Sequence, residues 1–410
     1  MRHAQDFTVA VFRLGHYGGE GARQLTTSPP LAGTPRPVPA AAPETGTTAC
    51  DWPVSWSLDI PADWVSGIFL AVFTAADGHR SYTPFVVRDT SRPSDLLVVL
   101  PFTTYQAYNM WPEDGRTGKN LYRGQLDGKV GGFDERAVEV SFDRPYAQAG
   151  LPRWFNLDTT LAGWVEQGGY DVTYATSVDL HEGRIDPSRH RAIIFPGHDE
   201  YWSRAMRNVA EDAVKEGTHL AFLAANNIYF HIRLEPAADG RANRIVACYK
   251  SDADLGRDIN GQTGRWRDLG RFGRAAEQGL LGVQYNGILS PPAPLVVRSP
   301  GHWFWAGTGL RDGDEIPGLV AVEADGYDPE YPLPSRVTRT LLSESPYMDR
   351  KGRGRRVQNS GLYETEQGAL VFAAGTFHWP LALGAPGHTD KRVQTATRNL
   401  LTHMLRDTGR

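Results

Sequence analysis

The chain has only two cysteines, Cys50 and Cys248, in 410 residues. That excludes a disulfide framework and a thiolate zinc site, which needs closely spaced pairs. It lacks a basic excess: 43 Lys and Arg face 47 Asp and Glu, for a formal net charge of -4. This argues against a nucleic-acid binder. No apolar run approaches the roughly 18 residues of a membrane span. The N-terminal Met1 to Asp6 lacks the apolar core of a signal peptide, so a cytoplasmic protein is expected. There is no Gly-x-Ser-x-Gly elbow and no Gly-rich phosphate loop ending in Lys-Ser or Lys-Thr. Neither cysteine sits in an obvious nucleophile turn. What is plentiful is aromatic: 16 Tyr, 16 Phe and 11 Trp, in a composition suited to two or three folded domains.

Residues 1–89 read as all-β. Phe7–Leu14, Trp56–Ile60, Ile68–Phe73 and Ser81–Val87 show strand patterning, with Pro84 marking an edge or a bulge. Residues 28–49 are rich in Pro, Ala, Thr and Gly and predict a long loop. A small β-sandwich domain over 1–89 is the natural packing. The texture changes between Arg88 and Pro93, and 90–410 reads as an α/β catalytic domain. Leu96–Leu100 is a continuous apolar run, as in a strand covered on both faces. Leu157, Leu161, Trp164 and Val165 form a helical stripe. Strands follow at 170–174, 192–195 and 219–223. Residues 203–216 predict an amphipathic helix with Ser203 as N-cap and Gly217 closing its end. A late strand at 368–374 and a helix over 391–405 complete a doubly wound, mostly parallel sheet.

Ligands of open α/β sheets bind at the carboxyl ends of strands. That rule selects Pro101–Trp111, Pro196–Ser203 and Ala224–Asn227. The second segment crowds His198, Asp199, Glu200, Tyr201 and Trp202 into one strand-to-helix turn. Such a turn cannot bury all of these cheaply, because unpaired buried charge is expensive. Metal ligation, acid/base chemistry and positioning are all open there. The plain alternative is that Asp199 caps the helix while His198 and Glu200 lie at the surface. Asn226 and Asn227 would orient a carbonyl or simply make a turn. Lys250 is the one lysine between Lys215 and Lys351, in a stretch rich in arginine. Glu323 ends an apolar run and reads as a catalytic carboxylate or a strand-end charge.

Several stretches resemble the large, catalytic subunit of N,N-dimethylformamidase and its relatives. They are Arg13–Gly19, Cys50-Asp51-Trp52, Asp63–Gly67, Pro84–Arg88 and Gln106–Asn109. Further on they are Asn120-Leu121-Tyr122, Gly197–Ser203 and Gly375–Trp379. The resemblance covers nearly the whole chain. It implies an N-terminal β-sandwich followed by a glutamine-amidotransferase-like (flavodoxin-like) α/β domain. It also implies a mononuclear non-haem iron, expected as Fe(III), held by Tyr108, Tyr122 and Glu200, with Tyr105 as reserve ligand. His198, Asn226 or Asn227, Lys250 and Glu323 would be the polar set around it. Phenolate and carboxylate are hard donors, suited to Fe(III). The implied activity is hydrolysis of an amide or formamide C–N bond in a small molecule. A lyase or oxidative reaction at the same iron is one alternative. A metal-free carbohydrate- or protein-binding module is another. A small partner subunit is not assumed, and a homo-oligomer is left open.

Overall fold

A computed structural model describes residues 4–250, 254, 261–269 and 275–406. The chain divides into two compact units, each built from separated stretches. The first takes 1–89, 102–155 and 232–263; the second takes 90–101, 156–231 and 264–410. Among the described residues no helix is long and apolar enough to cross a membrane.

The first unit opens with one five-stranded antiparallel sheet. Gln5–Leu14 lies between Ala22–Thr27 and Gly67–Ala75, Arg80–Val87 forms one edge, and Leu31–Gly33 also pairs with the first strand. Alternation in the first strand buries Val9, Val11 and Arg13. Burial of Arg13 is compensated because its guanidinium donates to the Ser66 carbonyl at 2.8 and 3.2 Å. Pro84 sits in the edge strand, where its missing N–H costs no ladder bond.

Residues 56–60 were expected to form a strand and do not. Trp56 and Leu58, with Trp64, instead lie on the sheet and cover a core of Val11, Phe69 and Val87. Trp64 stacks on Phe69 with ring centroids 5.2 Å apart. Their apolar alternation therefore reflects contact with a sheet face rather than membership of a ladder. The rest of this unit includes the short helix Phe102–Ala107. It also contains a small antiparallel sheet in which Ile245–Ala247 pairs with Glu139–Ser141 and with Arg233 to Glu235.

The second unit is built on seven strands. Their order is Val172–Thr176, Ser94–Leu100, His190–Phe195, His219–Phe222, Leu370–Ala373, Gly361–Thr365 and Val337–Leu341. The first five pair in parallel, and the last two are added by antiparallel pairing, so that Gly361–Thr365 alone runs against the others. Leu96 to Leu100 are all buried, as the unbroken apolar run requires of a strand covered on both faces. Leu97 and Val99 join Ile193, Phe195, Leu220 and Phe222 in a core closed by Met206, Ala210 and Ala213 of the helix Arg204–Lys215. Ser203 caps that helix by accepting the Met206 N–H at 3.3 Å. Gly217, at φ +90°, turns the chain out of it. The helices Phe155–Gln167 and Lys391–Met404 match their sequence periodicity.

Aromatics dominate this core. Phe222 stacks on Phe195 at 4.6 Å and lies 6.0 Å from Trp202, and all three are fully buried. Truncating Phe222 leaves a cavity that its rigid neighbours cannot fill. Phe222→Ala is expected to cost about 3–5 kcal/mol, read as a lower urea midpoint. A midpoint within 0.5 M of the parent would show that the layer bears little of the stability.

Candidate functional site

The second unit places its polar cluster where parallel strands end. After Phe195 the chain runs through Gly197-His198-Asp199-Glu200 into Tyr201–Ser203. After Phe222 it runs through Leu223 to Asn227. The two exits are joined by backbone bonds: Leu223 N–H to Phe195 O, Ile228 N–H to Asp199 O, and Phe230 N–H to Glu200 O, each 2.9 Å. Gly197 has a steric reason. A Cβ there would lie 2.5 Å from the carboxylate of the buried Asp158. The helix is capped by Ser203, not by Asp199, which is buried instead.

His198 and Glu200 are only 2% and 1% exposed, so they are not surface groups. His198 Nδ1 faces the Ala225 carbonyl at 3.2 Å. A carbonyl only accepts, so Nδ1 carries the hydrogen. Nε2 faces Glu200 Oε2 at 3.2 Å and Glu323 Oε2 at 3.8 Å. Burial alone would lower the imidazole pKa. The hydrogen bond to Glu200 and the charges of Glu323 and Glu200 outweigh it, and the net shift is upward. Burial pushes the Glu323 carboxyl up to about 7; Glu200 adds to this, while His198 and the Asn226 side chain oppose it. The imidazole is thus held between two carboxyl groups of unlike environment, one buried and the other 14% exposed.

Glu323 arrives from a different element, the long strand Glu315–Gly326, which pairs with Gln284–Val296. Val322 before it sits at φ +63°. A β-branched residue there is strained at a cost of order 1–3 kcal/mol. Two residues on, Asp325 is fully buried. Its backbone N–H reaches Gly375 O at 3.1 Å, and its Oδ1 accepts the Asn226 N–H at 2.8 Å. Asn226 itself sits at φ +57°. Asp325 was not singled out from the sequence; the signal was a second carboxylate two positions after Glu323.

The two asparagines differ. Asn226 turns its side chain toward Glu323. Asn227 is 1% exposed; its Oδ1 accepts the Asp199 N–H at 3.3 Å. Its Nδ2 has no acceptor among the described residues. A buried donor without a partner costs about 1–3 kcal/mol, and each such group calls for an explanation, of which a catalytic role is one.

Burial pushes the Asp325 carboxyl up to about 7. A folded pKa above the unfolded value of about 3.9 means the folded state holds this proton more tightly. The resulting stabilisation is complete below pH 4 and is lost as pH rises through 7. Asp325→Asn keeps an acceptor for Asn226 and removes the titration. Its melting temperature relative to the parent should therefore rise between pH 5 and pH 8. A difference that stays flat or falls over that range would contradict the assignment.

In the first unit the structure brings Tyr108, Tyr122 and Lys250 together. Tyr108 Oη donates to Tyr122 Oη at 2.9 Å, and the rings stack at 4.6 Å. Asn120 fixes both backbones. Its Nδ2 donates to Tyr108 O at 3.1 Å, and its Oδ1 accepts the Tyr122 N–H at 2.9 Å. Arg144, buried, holds the same loop by donating to the carbonyls of Asn109, Trp111 and Lys119, each at 3.0 Å. Trp154 meets the Tyr108 ring edge-on at 4.7 Å. Lys250 Nζ lies 3.4 Å from the centre of the Tyr122 ring. Tyr105 is 3% exposed and packs edge-on against Tyr146 and Phe155. It serves the core, whereas Tyr108 and Tyr122 stay partly accessible.

Among the described residues, no group of three or more His, Cys, Asp or Glu side chains is arranged to hold a metal ion. A metal centre would need other donors, and the phenol oxygens are such donors. With metal–oxygen bonds of about 2.0–2.2 Å, two adjacent ligands on one ion stand roughly 3 Å apart. The phenol pair of the first unit has that spacing.

A family described as N,N-dimethylformamidase beta subunit-like, C-terminal, matches residues 8–392. The N,N-dimethylformamidase beta subunit of Paracoccus aminophilus is 25% identical over 327 residues, covering 71% of this chain and 42% of that protein. The beta subunit from Alcaligenes sp is 23% identical, covering 87% of this chain and 55% of its own. The chain thus spans about half the length of the curated relatives it matches. A ThuA-like protein from Parabacteroides merdae overlays with a TM-score of 0.34 at 12% identity, covering 76% of this chain and 90% of its own. With the match running from residue 8 to residue 392, the chain belongs to the N,N-dimethylformamidase beta subunit-like, C-terminal family.

Proposed function

We propose that the protein is an amidohydrolase that cleaves the C–N bond of an amide or formamide by attack of water on the carbonyl. Family membership supports the reaction class. The observation that carries the chemistry is the buried His198, oriented by Ala225 O and set between Glu200 and Glu323.

In this reading His198 or Glu323 accepts the proton of the attacking water and returns it to the departing nitrogen. A group that does both needs to change protonation near neutral pH. The free Nδ2–H of Asn227 donates to the carbonyl oxygen as it gains charge. Lys250 adds a positive charge beside Tyr122. Asp325 acts on Asn226 rather than on the substrate, by fixing its backbone.

The metal belongs to the same proposal. Tyr108, Tyr122 and Glu200, the set the family resemblance implies, would hold Fe(III), and what supports it is the chemistry of the donors. The donors are hard and anionic when ionised, and the phenol oxygens stand at ligand spacing. Bound iron would supply Lewis acidity toward a carbonyl oxygen and toward water.

The fold reading is part of the proposal too. In chain order the parallel strands of the second unit stand second, first, third, fourth, last. That agrees with a flavodoxin-like, glutamine-amidotransferase-like sheet. For the first unit we propose that its antiparallel sheet is the core of an N-terminal β-sandwich.

The function is tested by incubating purified, iron-loaded protein with a panel of formamides and acetamides. Release of free amine and carboxylate in equal amounts is expected from at least one. Conversion without equal release of amine and acid would point to a lyase or oxidative reaction. No turnover of any amide by fully loaded protein would remove the proposal.

A further inference from the structure

The first unit contains a cavity of about 180 Å³ beside Tyr108. A dry cavity of roughly 150 Å³ admits a molecule the size of benzene, so this one has room for a small organic acid. Met110, Leu151 and Pro152 give it apolar walls.

Much of its polar lining is engaged within the protein, beginning with Tyr108 Oη, which donates to Tyr122 Oη at 2.9 Å. Asn109 uses its amide internally: Nδ2 donates to Pro145 O at 2.9 Å, and Oδ1 accepts the N–H groups of Trp111 and Ala147 at 3.1 and 2.9 Å. Asn120 is committed to the backbones of Tyr108, Tyr122 and Arg123. Glu113 accepts the Gln148 N–H at 2.9 Å. The cationic residues of the lining are Arg123 and Arg153. Arg153 lies over the Trp154 ring at 4.3 Å and within 5.8 Å of the Tyr108 ring centre. Stacking orients a guanidinium and leaves its edge N–H groups free. Among the described residues neither arginine has a carboxylate partner. The lining therefore carries two cations against one carboxylate that is already engaged.

We propose that this cavity is a carboxylate subsite, so that the amide cleaved bears an anionic group on a short apolar stem. The substrate half of this inference rests on the amidohydrolase reading; the binding half does not. An N-formyl amino acid has the matching chemistry. Water oxygen bonds to the formyl carbon, the C–N bond breaks, and the nitrogen takes a proton. The products are formate and the free amino acid.

The test is calorimetry on the full chain with N-formylglycine, its methyl ester and N,N-dimethylformamide. The acid should bind at least tenfold more tightly than the ester, because only it pairs with guanidinium. Arg123 and Arg153 are exposed, so the double variant Arg123→Gln, Arg153→Gln should fold normally. It should lose the preference for the acid while keeping the ester's affinity. Equal binding of acid and ester by the parent, or an undiminished preference in the variant, overturns the subsite. A preference for the acid with no amide hydrolysed leaves the subsite standing and ends the amidohydrolase reading. Hydrolysis without that preference does the reverse.

Discussion

Glu200→Gln should yield a folded protein that no longer retains iron and no longer releases amine from amides. Glu200 is 1% exposed, and Gln has nearly its volume, so packing is preserved. What changes is charge. In the proposed ligand set Glu200 is the one carboxylate beside two phenols, and an amide oxygen is a far weaker donor to a hard trivalent cation. Losing an outer-shell partner typically costs about 10–100-fold in affinity; losing an anionic ligand should cost more. The measurement is iron per chain after loading and desalting, with visible absorbance as a second readout. Phenolate bound to Fe(III) absorbs visible light, so Tyr108→Phe and Tyr122→Phe should each weaken or abolish the colour. Full iron occupancy in Glu200→Gln would sink the ligand assignment. Parent protein that stays colourless and metal-free after loading would remove the iron proposal as a whole.

The parallel sheet was legible because its signals are local. Leu96–Leu100 is apolar without a break, and Ser203 and Gly217 punctuate the helix between them. The strand at 56–60 was misread for an equally local reason. Trp56 and Leu58 alternate with polar residues, but the alternation comes from lying on a sheet whose ladder they never join. Sequence periodicity reports burial, and a loop that roofs a core has the same signature as a strand within it. The division into units was beyond sequence. Residues 102–155 and 232–263 join 1–89 through contacts between stretches distant in sequence, such as Cys50 N–H to Asp143 O and Val138 N–H to Thr45 O.

The site was legible in part. Gly197–Ser203 stood out because polar residues accumulate where a strand must end, and Glu323 because it closed an apolar run. Asp325 and Asp158 were not picked out. Their roles depend on partners distant in sequence, the Asn226 N–H and the bare Cα of Gly197. Nor could sequence separate Asn226 from Asn227. Their difference lies in a backbone angle of φ +57° at Asn226 and in which donor is left without an acceptor.

His198→Gln should lower kcat by about 10²–10⁴-fold, the range lost with a general acid or base. The substitution keeps a donor for Ala225 O but removes a group able to accept and return a proton. Packing should survive, because Phe377, whose ring centre lies 4.5 Å from that of His198, stays in place against a side chain of similar reach. A purely positioning role predicts a different pattern. His198 contacts Glu200 at 3.2 Å, so an orienting residue would act through metal affinity, with a loss of about 10–100-fold there. Excess iron would then restore turnover. Measuring iron content and kcat on the same loaded sample separates the two. A variant that holds iron fully and turns over within threefold of the parent would exclude His198 from proton transfer and leave Glu323 to carry it. In that case Glu323→Gln, which removes the carboxyl held up to about 7 by burial, should show the large loss instead.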